Sequence, residues 1–307
     1  MTDVYDMVIV GGGPAGLTAG LYAARLRRRT LLLERALIGG QIVNAERVEN
    51  FPGFPEGVSG FELGQLMQQQ ATKYGLEVMT TEVTGLELPS LVKVVQTTDG
   101  PIFARAIIVA GGADPAKLGV PGEEQLTGRG VSYCALCDGA FFRDQPVAVI
   151  GGGDAAVEEA IFLTRYASQV TVVHRRDRLR AAKILQERAM ADPKIHFLWH
   201  SVVEEISGVE EVTGLKVRNV KSGQVTGLPV SGVFIYIGFQ PNSHYLKGLV
   251  PLDATGHIVV NQQMETGAPG VFAAGDIRRG SARQAITAAG DGATAAVSAD
   301  RYLDELG

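Results

Sequence analysis

Residues 8–34 have the sequence VIVGGGPAGLTAGLYAARLRRRTLLLE, and residues 148–174 have the sequence AVIGGGDAAVEEAIFLTRYASQVTVVH. Each segment starts with a short apolar run, passes through three glycines into a stretch of helical length, and ends in a second apolar run. The pattern predicts a buried parallel strand, a tight turn, a helix and another strand, repeated after 140 residues. We therefore expect an α/β fold with two Rossmann-like, doubly wound nucleotide-binding domains.

The composition of the whole chain agrees with a globular protein of about two domains. It has 307 residues, including 39 glycines, and 28 Lys and Arg against 33 Asp and Glu give a net charge of −5. A mildly acidic chain argues against a nucleic-acid partner, which requires a basic patch. Two cysteines are too few for a disulfide-rich secreted fold.

The uncharged stretch over residues 7–24 is long enough to suggest a membrane span or a signal peptide. It is preceded by Asp3 and Asp6 instead of basic residues, and it contains Pro14 and five glycines. A strand, a turn and the start of a helix explain it better. We expect no membrane attachment and a cytoplasmic protein.

Two segments rich in proline and glycine bracket the second copy of the repeat. They are DPAKLGVPG at residues 114–122 and GFQPN at residues 238–242. We therefore predict that the second domain, residues 115–242, is inserted into a first domain made of residues 1–114 and 243–307. Further apolar runs predict strands over residues 86–95 and 102–110, and helices over residues 61–74 and 287–302.

The first glycine motif is Gly11-x-Gly13-x-x-Gly16, between the first predicted strand and its helix. Such glycines permit a tight turn and let a pyrophosphate approach the backbone and the helix N-terminus. Glu34 ends the second strand, 23 residues after Gly11. Its carboxylate can accept hydrogen bonds from ribose hydroxyls and would repel a 2′-phosphate. The first site thus suits FAD or NAD.

The second motif, Gly151-x-Gly153-x-x-Ala156, has the same position in the second copy. Where the first copy has a glutamate, this copy has a basic segment containing His174, Arg175, Arg176 and Arg180. Cationic side chains at this position can bind a 2′-phosphate through charge-assisted hydrogen bonds. The second site therefore suits NADP.

Cys134 and Cys137, in the sequence CALCD, are the only cysteines of the chain. Their spacing is typical of a redox dithiol. A zinc site would require two further ligands, and a purely structural disulfide would close too short a loop to remove much chain entropy. Asp138 follows directly and is a candidate acid or base for the leaving thiolate.

Together these motifs resemble those of the low-molecular-weight, bacterial-type thioredoxin reductases, which depend on FAD and NADPH. The resemblance runs from end to end. It is carried by GGGPAG (11–16), GGQ (39–41), ENFPG (49–53), CALCDG (134–139), GGGDAAVEEA (151–160), HRRDRLR (174–180), GVFAAGDI (270–277) and RQAITAAGDG (283–292). Leu136 departs from the threonine that is commonest in the dithiol motif of the family.

The resemblance implies a site for each cofactor and no metal. The residues expected at FAD are Gly11, Gly13, Pro14, Ala15, Gly16, Glu34, Gly39, Gly40, Gln41, Asn50, Gly275, Asp276, Arg283, Gln284 and Ala285. Those expected at NADPH are Gly151, Gly153, Asp154, Ala155, Ala156, His174, Arg175, Arg176 and Arg180. The catalytic residues would be Cys134, Cys137 and Asp138. The resemblance also implies a homodimer and a thioredoxin or thioredoxin-like partner.

Three other functions compete with disulfide reduction of a thioredoxin. A ferredoxin–NADP reductase of the same architecture would lack the dithiol. A flavoprotein dithiol oxidase would pass electrons to oxygen and would lack a working NADP site. A non-catalytic nucleotide sensor would need no dithiol. The pair of cysteines and the basic segment favour the reductase.

Overall fold

A computed structural model describes residues 3–45, 47–89 and 91–306, without the side chain of Cys137. The chain packs as two units, which are described separately. One consists of residues up to Asp114 and residues from Gln240 onward, and the other consists of residues Pro115–Phe239. The predicted domain boundaries after residues 114 and 242 stay a prediction. In the structure, the chain passes from one packing unit to the other after residues 114 and 239.

The first elements of the chain extend to the first unit boundary, where β7 lies. They are β1 (Val4–Val10), α1 (Pro14–Arg25), β2 (Thr30–Glu34), α2 (Gly60–Thr72), β3 (Glu77–Thr80), β4 (Val83–Glu87), β5 (Lys93–Thr97), β6 (Gly100–Val109) and β7 (Ala113–Pro115). The next elements are β8 (Val131–Ser132), α3 (Ala135–Asp138), β9 (Pro146–Gly151), α4 (Asp154–Leu163), β10 (Gln169–Val173), α5 (Lys183–Ala191) and β11 (Ile195–Leu198). The chain ends with β12 (Ser201–Gly208), β13 (Val212–Asn219), β14 (Val225–Leu228), β15 (Gly232–Tyr236), β16 (Phe239–Pro241), β17 (Val271–Ala273) and α6 (Ala285–Glu305). Short 3₁₀ helices cover Gly40–Asn44, Gly139–Phe142, His244–Leu246 and Gly275–Ile277.

The first unit is built on a seven-stranded sheet in the order β3-β2-β1-β6-β5-β4, with β17 also pairing with β6. The pairs β1–β2, β1–β6, β2–β3 and β6–β17 are parallel. Both faces are covered, since Met7 and Ile9 of β1 pack into one buried cluster and Val8 and Val10 into another. An uninterrupted apolar strand is thus explained by burial on both sides.

The predicted single strand over residues 86–95 is wrong. The structure has two antiparallel strands instead, because β4 ends at Glu87 and β5 begins at Lys93. Pro89 lies in the connection, and a proline has no N–H to donate to a sheet.

The second unit contains a five-stranded parallel sheet in the order β11-β10-β9-β15-β8 and an antiparallel sheet of β12, β13 and β14. In each unit, the first strand of the repeat lies between the second repeat strand and a later strand. In such sheets, ligands bind at the carboxyl ends of the strands where the order reverses. Both glycine motifs follow the central strand at that edge. The predicted α/β class with parallel sheets is confirmed.

No helix of the described residues is long and apolar enough to span a membrane.

Candidate functional site

Two positions of the first glycine turn, Gly11 and Gly16, leave no room for a side chain. Gly11 has a φ of +109°, and a Cβ on it would lie 2.3 Å from the carbonyl oxygen of Ala110. A Cβ on Gly16 would lie 1.8 Å from the carbonyl oxygen of Gly11. Gly13 caps α1 without a side-chain hydrogen bond, and Pro14 is the first helical residue. The amide groups of the first turn of α1 are therefore open to an anion.

Glu34 is the last residue of β2, and both oxygens of its carboxylate accept hydrogen bonds from backbone N–H groups. The N–H of Gly12 donates to Oε2 at 2.7 Å, and the N–H of Ala36 donates to Oε1 at 2.9 Å. Glu34 also lines a cavity of about 70 Å³ together with Thr81, Glu82 and other residues of this unit. Each carboxylate oxygen can accept a second hydrogen bond, so the group is fixed and still able to bind hydroxyls.

The next predicted residues lie at the 3₁₀ helix that follows β2. Gly39 precedes this helix with a φ of +115°, and its N–H donates to the carbonyl of Gly12 at 2.8 Å. A Cβ on Gly40 would lie 3.0 Å from the Cα of Gly13. The loop that contains Gly39, Gly40 and Gln41 therefore packs directly on the first glycine turn.

The C-terminal segment of the chain returns to the same turn. A Cβ on Gly275 would lie 2.9 Å from the Cβ of Ala15. The Nδ2 of Asn50 donates to the Oε1 of Gln284 at 2.9 Å, so two residues that are 234 positions apart meet. Gln284 also caps α6, which begins at Ala285. The structure thus brings residues from both chain ends of the predicted FAD site together.

Asp276 and Arg283 lie on the loop between β17 and α6. The Oδ1 of Asp276 accepts a hydrogen bond from Ser281 at 2.8 Å, and burial raises the pKa of this carboxyl group. Arg283 has a φ of +57°, and its N–H donates to the hydroxyl of Ser281. Ser281 therefore holds both predicted residues.

Asp291 has a structural role in this site that the sequence analysis did not assign. Its buried carboxylate accepts hydrogen bonds from the N–H of Gly275 at 3.1 Å and from Arg278 at 2.6 and 2.8 Å. The fork of Arg278 thus neutralises it and ties the loop to α6. The only signal in the sequence was its place in the RQAITAAGDG motif.

The second glycine turn repeats the geometry of the first. A Cβ on Gly151 would lie 2.3 Å from the carbonyl oxygen of Tyr236 and 2.7 Å from the Cβ of Ala156. Gly153 caps α4 without a side-chain hydrogen bond, and no atom of the described residues lies within 4 Å of where its Cβ would be. Asp154 begins the helix and accepts a hydrogen bond from the N–H of Ala182 at 2.7 Å. Ala155 is half-buried and Ala156 is buried.

His174 ends β10 but does not lie among the exposed cations that follow it. Its side chain is 6% exposed, packs under Gly152 and lies edge-on to Trp199 at 6.2 Å between ring centroids. Burial lowers the pKa of the imidazole, although backbone hydrogen bonds at Gly151 and Arg178 oppose this effect. The Nε2 atom is buried and has no hydrogen-bond partner among the described residues. His174 is therefore neutral near pH 7, not the cation that the sequence suggested.

Arg175, Arg176 and Arg180 are exposed, and none of them forms an ion pair with a described residue. The N–H of Arg180 donates to the carbonyl of Gly152 at 2.7 Å. This bond places the end of the basic segment against the glycine turn. Three cationic side chains are thus available beside the turn to bind an anion.

Cys134 is disulfide-bonded and half-buried, at the start of α3. Its N–H donates to the hydroxyl of Ser132 at 3.0 Å, and its carbonyl accepts from that hydroxyl at 3.2 Å and from the N–H of Asp138 at 3.2 Å. The N–H of Ala135 donates to the hydroxyl of Tyr236 at 2.9 Å. Cys137 lies within α3, and its side chain is outside the described part of the structure.

Asp138 lines a second cavity, of about 430 Å³, within the second unit. Phe141 and Phe142 also line it, and the side chain of Phe141 is 78% exposed. A large apolar side chain at a cavity rim, four positions after Cys137, is suited to contact with another protein.

Glu123 is a second residue that the sequence analysis missed. Its carboxylate is buried and accepts hydrogen bonds from the N–H groups of Leu118 and Gly119, at 2.9 and 2.6 Å, and from the hydroxyl of Tyr133 at 2.7 Å. It thereby ties the first residues of the second unit to the residue that precedes Cys134. Within the described residues, no group of three His, Cys, Asp or Glu side chains could hold a metal ion.

The chain is similar over almost its whole length to known proteins. The family model of the pyridine nucleotide-disulphide oxidoreductases matches residues 5–292. A thioredoxin reductase of Streptomyces coelicolor is 50% identical over 309 residues, which cover 100% of this chain and 96% of the relative. One of Listeria monocytogenes is 48% identical over 99% of this chain and 95% of the relative. The crystal structure of Lactococcus lactis thioredoxin reductase has a TM-score of 0.96 and 47% identity over 98% of this chain and 99% of that chain.

The resemblance inferred from the sequence motifs is confirmed. The chain belongs to the pyridine nucleotide-disulphide oxidoreductase family, and within it to the thioredoxin reductases.

Proposed function

We propose that this protein reduces the disulfide of a thioredoxin or thioredoxin-like protein, with electrons from NADPH, through FAD and a Cys134–Cys137 disulfide. One observation carries the proposal. Cys134 is disulfide-bonded in the same unit as a nucleotide-type glycine turn with three exposed arginines beside it. A nucleotide site and a redox disulfide in one unit are what a reductase of this kind requires.

The first unit fits FAD. The glycine turn and the open start of α1 suit a pyrophosphate, and the fixed carboxylate of Glu34 suits ribose hydroxyls. Tyr245 lines the same cavity as Glu34, and its buried hydroxyl has no hydrogen-bond partner among the described groups. An unpaired buried hydroxyl is costly, and a bound nucleotide would offer acceptors for it.

The second unit fits NADPH. The start of α4 suits its pyrophosphate, and Arg175, Arg176 and Arg180 would bind the 2′-phosphate through charge-assisted hydrogen bonds. His174 would support the turn from beneath, because it is buried and neutral. We therefore assign recognition of the 2′-phosphate to the arginines.

Bound together, these cofactors supply two-electron transfer from a reduced nicotinamide through a flavin to a disulfide. The chain's own residues then carry out thiol–disulfide exchange. The Cys134 thiolate attacks one sulfur of the partner's disulfide, and the other sulfur leaves as a thiolate that takes a proton from the carboxyl group of Asp138. Cys137 then attacks Cys134 in the mixed disulfide, and its thiol proton passes to the carboxylate of Asp138. The partner's second sulfur leaves as a thiolate that takes a proton from water, and the internal disulfide re-forms. The partner gains the two electrons that the dithiol loses.

Phe141 would contact the partner protein, because it is exposed beside Asp138 at the second cavity. Assembly as a homodimer is part of the proposal. It is supported by apolar side chains exposed on α1, directly after it and on α2, which are Tyr22, Leu26, Phe61 and Leu66. A cytoplasmic location is proposed as well, since a reducing dithiol suits a reducing compartment.

The test is NADPH-dependent reduction of a panel of thioredoxins, with oxygen consumption recorded in parallel. We expect rapid reduction of at least one thioredoxin with little oxygen uptake. Oxygen uptake that matches thiol oxidation would instead indicate a dithiol oxidase. Reduction of ferredoxin by NADPH, with no reduction of any thioredoxin, would indicate a ferredoxin–NADP reductase. Sedimentation of the same preparation would show whether it is a dimer.

A further inference from the structure

Tyr236 contacts the turn that carries the redox cysteine, although it lies 101 residues away in the sequence. Its hydroxyl accepts the N–H of Ala135 at 2.9 Å. Ala135 is 0% exposed, so water cannot take over this hydrogen bond. The tyrosine hydroxyl is therefore the acceptor that satisfies a buried amide next to Cys134.

The other hydrogen bonds of the turn are local. Ser132 binds both the N–H and the carbonyl of Cys134, and the N–H of Asp138 donates to the same carbonyl. Ser132 belongs to β8, so these bonds attach the start of the turn to the edge strand of the parallel sheet. Tyr236 attaches the turn to the centre of that sheet, because it is the last residue of β15 and pairs with Gly151 of β9.

The hydroxyl of Tyr236 stays protonated at working pH. Burial raises its pKa well above the ordinary value, and the negative charge of Glu159 raises it further. Tyr236 is therefore a permanent, neutral hydrogen-bonding group whose position is set by the central strands of the unit.

We propose that Tyr236 is a positioning residue for the redox disulfide, which it stabilises in the oxidised state by holding the N–H of Ala135. Loss of the hydroxyl leaves a buried N–H without an acceptor, which is unfavourable. The disulfide fixes the turn, so the oxidised form cannot move to relieve this cost. Opening the disulfide frees the turn to move and admit water, so the reduced form is affected less. The disulfide should become easier to reduce.

The test is the equilibrium of the FAD-loaded protein with glutathione. Two glutathione thiols are oxidised to one glutathione disulfide, and the protein disulfide takes up the two electrons and two protons as two thiols. Protein thiols are counted by alkylation and mass spectrometry after an acid quench. For Tyr236→Phe we expect the ratio of reduced to oxidised protein in a given buffer to rise about threefold to tenfold. This range corresponds to about 14–30 mV at about 29.6 mV per factor of ten.

Tyr166→Phe is the matched control, because Tyr166 is also half-buried in this unit but packs edge-on against Phe162. It should leave the equilibrium unchanged. An equilibrium of Tyr236→Phe equal to that of the wild type, with both proteins folded by circular dichroism, would overturn the inference. An equal shift in Tyr166→Phe would also overturn it.

The inference rests on the proposed function in treating the Cys134 disulfide as reducible, but the assay contains no thioredoxin. A wild-type disulfide that glutathione does not reduce over the whole buffer range would contradict the proposed function and the inference together. A normal wild-type equilibrium without a shift in Tyr236→Phe would contradict the inference alone.

Discussion

His174 and the arginines that follow it are neighbours in the chain but lie in different surroundings. The imidazole is buried under Gly152, whereas Arg175 and Arg176 are exposed. At the scale of single residues, we therefore expect His174 to affect the stability of the protein and the arginines to affect its choice of nucleotide. The two effects can be measured separately.

The stability of the protein should fall with decreasing pH partly because of His174. Burial lowers its pKa in the folded state below the ordinary value of 6.5, so the unfolded chain binds the proton more readily. The stabilisation is fully present above about pH 6.5 and is lost as the pH falls from there through the lower folded pKa. One such group contributes a slope of at most about 1.4 kcal/mol per pH unit.

Urea unfolding between pH 7.5 and pH 5 measures this slope. In His174→Asn the unfolding free energy should depend less steeply on pH over that range, whatever its absolute value. Equal slopes in the two proteins would show that His174 takes up its proton as readily in the folded state as in the unfolded state.

The preference for NADPH over NADH should depend on Arg175 and Arg176. Each hydrogen bond to a charged group is worth about 1.5–3 kcal/mol, and exposure to solvent reduces this value. We expect Arg175→Ala/Arg176→Ala to lower the ratio of kcat/KM for NADPH to that for NADH by about 10- to 100-fold, through its effect on NADPH. Arg178→Ala is the control, since Arg178 is exposed in the same segment but was not predicted to bind the phosphate. A wild type that uses both nucleotides equally would remove the basis of this assignment.

At the scale of elements, the short helix α3 contains Cys137 and directly follows Cys134. Substitution of either cysteine should separate the two half-reactions, which are reduction of the flavin by NADPH and reduction of thioredoxin by the dithiol. Cys134→Ser and Cys137→Ser should each still allow NADPH to bleach the flavin absorbance in the absence of oxygen. Neither should sustain thioredoxin reduction, because one sulfur cannot re-form the internal disulfide. Stopped-flow absorbance beside a steady-state thioredoxin assay measures both. Wild-type thioredoxin reduction by either variant would show that the motif is incidental.

The contact between α1 and α6 depends on the absence of a side chain at one position. A Cβ on Gly292 would lie 2.0 Å from the carbonyl oxygen of Ala15, so the helices would have to separate. Gly292→Ala should lower the unfolding free energy by about 1–3 kcal/mol. Gly290→Ala is the matched control, since Gly290 lies in the same helix and no described neighbour comes within 4 Å of its Cβ position. There, alanine should stabilise by about 0.5–1 kcal/mol. Thermal unfolding measures both, and two changes of the same sign would contradict this account of the packing.

The elements themselves were predictable to different degrees. The repeated strands and helices followed from apolar periodicity, which reports burial on a sheet or helix face. The two strands within residues 86–95 did not follow from it, because two antiparallel strands joined by a short connection can show the same run of apolar residues as one strand. The two glycine turns were predictable from spacing alone. The burial of His174 was not, because it depends on Trp199 and Gly152, which reach it only through the fold.

At the scale of the whole molecule, the purified protein should be yellow and contain one FAD per chain. The reason is that residues from both chain ends meet at the first glycine turn, where Glu34 accepts a hydrogen bond from Gly12 and Gly275 lies against Ala15. Absorbance at the flavin maximum against protein concentration gives the ratio. Glu34→Ala should retain less FAD after dialysis, as its fixed carboxylate is lost. A colourless protein that cannot be reconstituted with FAD would contradict the proposed function.

Features that involve residues close together in the sequence were predictable, and features that join residues far apart in the sequence were not. The 140-residue repeat and the dithiol are local patterns, and they were enough to predict the fold class and the family. Glu123, Tyr236 and Asp291 were not predictable as parts of the sites. Each of them acts through hydrogen bonds to backbone groups, which no side-chain pattern encodes.

The return of the chain to its first unit has a consequence during synthesis on the ribosome. Residues 115–239 are contiguous and can fold as soon as they have emerged. The first unit must wait for β17, which pairs with β6, and for α6, which packs on α1. At about 5–20 residues per second, this delay lasts roughly ten to forty seconds. During that time the nascent chain exposes the apolar surfaces of α1 and β6, and these are the surfaces that a chaperone would have to shield until translation ends.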